Sequence, residues 1–126
     1  MFKTIKHLTL TLFAFCICLS VPMASFSAGA EDMKKGADIM MKGSDMMKGS
    51  DTTMKDGHKI MLDGYSMMKS SGMTDEGSMK MMRGAEMMKS GADMMMLHDE
   101  KMTKEAEKIM MDGKAMVHEG EKMIKK

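Results

Sequence analysis

Twenty-five of the 126 residues are methionine, and a thioether offers three kinds of chemistry. It is a soft ligand for Cu(I) or Ag(I). It takes up one oxygen to become a sulfoxide, a change that a reductase can reverse. It is also a polarizable, adaptable apolar surface for other apolar segments. Other reactive groups are sparse: Cys16 and Cys18, and four histidines, His7, His58, His98 and His118. No stretch resembles a phosphate loop, a nucleophile elbow or a zinc-finger spacing, so the composition argues against an ordinary enzyme.

The methionines recur every seven residues. One column runs Gly36, Gly43, Ser50, Gly57, Gly64, Ser71, Ser78, Ala85, Ala92, Asp99, Ala106, Gly113, Gly120, and only Asp99 in it is not small. Calling that column a, position d runs from Ile39 through Met46, Thr53, Ile60 and Met67 to Met123. Position e runs from Met40 through Met47, Met54, Met61 and Met68 to Ile124. Residues at a, d, e and the next a share one face of an α-helix. The remaining columns carry mostly Lys, Glu, Asp and Ser, as a solvated back should. A strict repeat of seven favours a left-handed supercoil, in which small residues at a admit a neighbouring backbone while methionines interdigitate around it. The same register is expected from end to end.

These columns require an all-α fold. Past residue 30 the large aliphatics other than Met are Leu62, Leu97, Ile39, Ile60, Ile109, Ile124 and Val117, with one Tyr and no Trp, too little β-branched and aromatic material for sheets. Glycine argues against a single rod, because each costs about 1 kcal/mol relative to Ala inside a helix. Breaks are expected at 49–53, 70–74 and 97–100. The spacing predicts helices over 32–48, 54–70, 75–97 and 99–125, folded as hairpins or a loose, Gly-punctuated bundle that is partly disordered or self-associates. Thr74 is the expected cap of the third helix and Asp99 of the fourth.

Residues 1–30 read as a cleaved secretory signal peptide. Lys3, Lys6 and His7 precede an apolar run from Leu8 to Leu19, and Ala28-Gly29-Ala30 supplies a small-residue cut after Ala30. The run is about 12 residues, short of the roughly 20 that span a bilayer, so stable membrane insertion is not expected. Both cysteines would leave with it, which excludes a disulfide scaffold and a thiolate metal site in the methionine-rich region 31–126. There 17 basic residues face 18 acidic ones, and nothing in that balance asks for nucleic acid. A bacterial periplasm is the expected compartment.

Packing explains why the d and e positions are apolar, but not why they carry sulfur, since Leu packs as well and is an equally good helix former. Oxidation needs only that a small oxidant reach each sulfur, with no fixed geometry between sulfurs. The oxidisable set at d is Met46, Met67, Met81, Met88, Met95, Met102, Met116 and Met123. At e it is Met40, Met47, Met54, Met61, Met68, Met82, Met96 and Met110, flanked by Met41, Met87, Met94 and Met111. A metal cage on one helix wants sulfurs at i, i+3 or i+4. The usual spacing here is i+1 or about two turns, and Lys follows many of the pairs. The alternative, Cu(I) or Ag(I) sequestration, would draw on Met79, Met81 and Met82 with His58, His98 and His118. No resident cofactor is expected otherwise.

An export signal, a Cys-free mature chain and repeated Met-Met-Lys-(Ser/Gly) units resemble the methionine-rich periplasmic peptides that scavenge hypochlorite. The resemblance implies a chain that is consumed rather than catalytic, with hypochlorous acid as its reactant. It also implies a partner, a periplasmic methionine sulfoxide reductase (a molybdenum enzyme with a haem-containing membrane subunit) that restores the thioethers. Less closely, the chain resembles periplasmic Met/His-rich copper- and silver-sequestering proteins, which carry more His–Met pairs.

Overall fold

The computed structural model describes residues 22–124, with side chains from residue 28 onward. The expected apolar leader run, with Cys16 and Cys18, lies outside the described residues. Four helices follow one another, α1 (Pro22–Met46), α2 (Asp51–Ser70), α3 (Glu76–Met95) and α4 (Glu100–Ile124). Among the described residues there is no strand, and no helix is long and apolar enough to cross a membrane. The all-α expectation holds, and all three breaks fall where glycine, serine and Asp99 interrupt the columns. The first helix is longer than expected. It starts at Pro22, whose fixed φ suits the first turn, and runs unbroken through Ala30.

The caps show why the chain turns where it does. Asp75, not Thr74, caps α3: its Oδ1 accepts the Ser78 amide at 3.0 Å and its Oδ2 accepts the Ser78 hydroxyl at 2.5 Å. A carboxylate at that position also meets the positive end of the helix, an advantage that a threonine hydroxyl lacks. Asp99 caps α4 as expected, accepting from the amides of Lys101 at 2.9 Å and Met102 at 3.4 Å. The turns before α3 and α4 each use a left-handed residue, Gly72 at φ 67° and His98 at φ 54°.

Two antiparallel hairpins result, α1 with α2 and α3 with α4, and each closes along a line of glycines. A methyl added to Gly36 would stand 2.7 Å from the carbonyl oxygen of Gly64, and one added to Gly64 would stand 2.6 Å from that of Gly36. Gly43 and Gly57 face each other in the same way at 2.6 and 2.7 Å, and Gly29 faces Ser71 at 3.0 Å. In the second hairpin the steps are Gly77 with Gly120, Gly84 with Gly113, and Gly91 with Ala106, at 2.5–2.9 Å. A backbone Cα thus rests on the opposite carbonyl at every seventh residue, closer than the usual roughly 8–10 Å helix separation permits. Such Cα–H···O contacts are worth about 0.5–1 kcal/mol each.

Methionines line these steps four residues after each small residue. Met40 follows Gly36, Met47 follows Gly43, Met61 follows Gly57, Met68 follows Gly64 and Met110 follows Ala106, all at position e and all buried. The register does not hold in α3. There the glycines are Gly77, Gly84 and Gly91, one residue before the a column, and the buried methionines are Met81, Met88 and Met95 at d. The seam rotates by one residue because the glycines do, while Ser78, Ala85 and Ala92 at a are buried beside them.

That shift builds the contact between hairpins. The residues after Gly36 and Gly43 on α1 (Ala37, Ser44) and after the three glycines of α3 (Ser78, Ala85, Ala92) are small and buried, and α1 approaches α3 across the bundle. On α2 and α4 the corresponding residues are His58, Tyr65, Lys114 and Glu121, and those two helices do not meet. The bundle is therefore a rhombus with a short α1–α3 diagonal. Polar side chains clasp its edges: His58 Nε2–H donates to Asp93 Oδ1 at 2.6 Å, and Lys114 Nζ donates to Asp45 Oδ1 at 2.9 Å.

Two outcomes follow from this packing. Gly84→Ala gains helix propensity of about 1 kcal/mol, but its methyl meets a backbone oxygen at 2.5 Å that cannot swing away. Overpacking costs typically about 1–3 kcal/mol, so the urea midpoint should fall, and a rise would refute the close approach. For Asp93, burial alone would raise the carboxyl, but hydrogen bonds from His58 and Lys89 hold it below its ordinary 3.8. A carboxylate depressed in the folded state adds stability above its unfolded pKa and loses it as pH falls through the folded one. Thermal unfolding between pH 5 and acid below 3.8 should therefore weaken more steeply in the parent chain than in Asp93→Asn.

Candidate functional site

The seam and the repeat divide the sulfurs into two populations. Nine methionines are closed in: Met33, Met40, Met61, Met68, Met81 and Met88 are 0% exposed, and Met47, Met95 and Met110 are 1%, 4% and 5% exposed. The cause is local. Six of them, Met40, Met61, Met68, Met81, Met88 and Met110, lie on a seam glycine of the opposite helix, as Met68 Cγ lies 2.6 Å and Met61 Cγ 2.7 Å from where a methyl on Gly36 or Gly43 would be. Met79, Met111 and Met123 are open to solvent at 48%, 66% and 37%. Eleven more are half-buried: Met41, Met46, Met54, Met67, Met73, Met82, Met87, Met94, Met96, Met102 and Met116.

Helix geometry explains the division. Neighbours in sequence are about 100° apart around the axis, so an e methionine pointing into the seam leaves its d neighbour on the rim. Met46 and Met47, and Met67 and Met68, are such pairs, one half-buried and one closed. In α3 the roles exchange: Met81 and Met88 are closed at d, and Met82 at e lies on the rim. Of the twenty expected oxidisable positions, the structure thus places eight in the seam and twelve outside it. Sequence reasoning overlooked Met33 and Met73. Met33 extends the e column one heptad before Met40, a signal the column itself carried. Met73 sits in the α2–α3 turn outside the columns, with its Sδ 3.1 Å from where a methyl on Gly29 would stand.

The two populations differ in what oxidation does to the fold. An outer sulfoxide meets water. A seam sulfoxide brings a strong acceptor into an apolar contact, and burying a polar group without a partner costs roughly 2 kcal/mol or more. Two or three such events approach the roughly 5–15 kcal/mol by which a small domain is stable. Seam oxidation is therefore expected to loosen the fold, whereas outer oxidation is not.

The residues weighed for a soft-metal cage on one helix are not gathered. Met81 is closed against Gly120, Met79 is exposed beside Glu76, Lys80, Arg83 and Met116, and Met82 is on the rim. His58 is held by Asp93, twelve residues from Met81 along α3 and so about 18 Å away along its axis. His98 lies in the α3–α4 turn, and His118 Nδ1 lies 3.8 Å from Glu121 on α4. Among the described residues no three His, Cys, Asp or Glu side chains form a group that could hold a metal ion.

Peptide mapping under limiting hypochlorite should show +oxygen first at Met79, Met111 and Met123, with helical circular dichroism unchanged. Met40, Met61, Met68, Met81 and Met88 should follow together, as the helical signal falls. Early oxidation of the seam set in a chain that keeps its helices would show that burial does not order the reaction. Comparison of the chain with protein-family models, curated proteins and solved structures finds no match.

Proposed function

We propose that this chain is a periplasmic scavenger of reactive chlorine species, spent by oxidation of its methionines and restored by a methionine sulfoxide reductase. The reaction at each sulfur balances as thioether plus hypochlorous acid giving sulfoxide, chloride and a proton: oxygen is gained by sulfur, and chlorine leaves reduced. No group in the chain turns over, so capacity is the sum of reachable sulfurs and no single one is essential.

The observation that carries this reading is the population outside the seam. Close packing in the seam accounts for an unbranched apolar side chain at nine positions. It does not account for fourteen further methionines on the rim and surface, where a helix of this kind gains more from Lys or Glu. Those sulfurs sit where a small oxidant and a reductase can both reach them. Cysteine is absent from residue 31 onward, which avoids irreversible sulfinic and sulfonic acids. The export pattern of residues 1–30 supports the compartment. A cut after Ala30 would leave α1 starting at Glu31, with its glycine steps at Gly36 and Gly43 intact.

The decisive comparison replaces the methionines of the exported chain by norleucine, which keeps shape and removes sulfur. The parent chain should consume about one hypochlorite per thioether, spare a co-incubated target protein, and lose its +oxygen mass steps on treatment with a periplasmic methionine sulfoxide reductase. The norleucine chain should consume far less and spare nothing. Equal protection by the two chains would overturn the proposal.

A further inference from the structure

The seam ends in a cavity lined by three closed methionines from three separate segments. Met47 lies one residue past the end of α1, Met95 is the last residue of α3, and Met110 comes from α4. All three line a space of about 220 Å³, with Met111 also on its wall. Met40, Met61, Met68, Met81 and Met88 lie directly on glycine. Here the step beside the cavity pairs Gly91 with Ala106, so one backbone carries a methyl where the other steps of that hairpin have glycine on both sides. Met110 is nonetheless held in place, its Cγ 2.5 Å from where a methyl on Gly91 would be. An adjoining hollow shares Met47 and Met95 and adds Met54 and His98.

We propose that this cavity binds one soft monovalent cation, Cu(I), through the thioethers of Met47, Met95 and Met110. Thioethers are neutral and soft, so they select Cu(I) over the hard divalent cations that carboxylates and carbonyls prefer. Three donors on separate segments avoid the constraint that disfavours a cage on one helix, because each approaches from its own direction and Met has three rotatable bonds. Charge does not oppose the ion. The two lysines on the cavity wall, Lys48 and Lys114, are matched by Asp45 and Glu107, and Lys114 is engaged by Asp45 at 2.9 Å. The hollow at Met79 and Met116 differs in that its sulfurs are not closed in, and Arg83 stands on its wall beside a Lys80 already paired with Glu119.

This site is independent of the scavenging reading and fails separately from it. The full chain, kept reduced and anaerobic, is titrated with Cu(I) in competition with a chromophoric Cu(I) chelator. One Cu(I) per chain with sulfur-dominated X-ray absorption is expected. Single changes Met47→Leu, Met95→Leu and Met110→Leu should each weaken binding by more than roughly ten-fold, the least that loss of even a supporting contact costs a metal site. Met79→Leu and Met123→Leu should leave it within two-fold. Leucine keeps the packing volume, and circular dichroism of each variant verifies the fold. The triple Leu variant retains the fourteen outer thioethers, so its oxidant uptake should persist when Cu(I) binding is lost. No binding, several equivalent weak sites, or affinity unchanged in the three single variants would each overturn the proposal.

Discussion

Helix backbones in direct contact are the constraint on which the rest of this molecule depends. At every seventh residue a Cα of one helix lies on a carbonyl oxygen of its neighbour, and only hydrogen fits between them. Glycine is a poor helix residue, at about 1 kcal/mol relative to alanine, so its repeated use inside four helices needs a compensating contact. The reciprocal steps of each hairpin provide it. Once the backbones are that close, the gap beside each glycine is shallow, and a long unbranched side chain can lie along it. Val117 and Ile124 occupy equivalent places in α4, so branching is tolerated where the opposite contact allows it.

The same constraint fixes which sulfurs are sealed and which are not. A seam one residue wide closes one methionine per heptad and leaves its neighbour on the rim. A pair such as Met67–Met68 therefore delivers one available and one withheld thioether. A leucine-rich bundle would bury a broader face and would need no sulfur at the rim. Oxidation at the rim leaves the glycine contacts intact. Oxidation in the seam would place a sulfoxide oxygen among buried apolar side chains.

Much of this was legible in the sequence, and the part that was not has a physical reason. The period of seven, the absence of sheet-forming residues and the turn chemistry at Gly49-Ser50, Ser71-Gly72 and Asp99 were enough for four helices and their breaks. The shift of the seam in α3 was not seen, because Ser78, Ala85 and Ala92 keep the a column small while the glycines move to Gly77, Gly84 and Gly91. Composition by column cannot tell a residue that is small enough from one that must be glycine; only the opposite carbonyl decides that. The choice of Asp75 over Thr74 as a cap turned on one residue of helix start. The twenty oxidisable positions were named without distinguishing closed from open, since d and e read as one apolar face until a partner backbone selects between them.

The turn end of the bundle shows what happens when the constraint relaxes. Met47 and Met95 each lie four residues past the last glycine of their helices, Gly43 and Gly91, where no further step holds the backbones together. The neighbouring step carries Ala106 in place of glycine. The space at that end is lined by Met47, Met95 and Met110, together with Asp45, Glu107, Lys48 and Lys114 from the rim. One repeat can thus give two sulfur environments without a change of residue type. Where glycine meets glycine the thioether is packing, and where the seam runs out the same thioether is a donor facing a cavity.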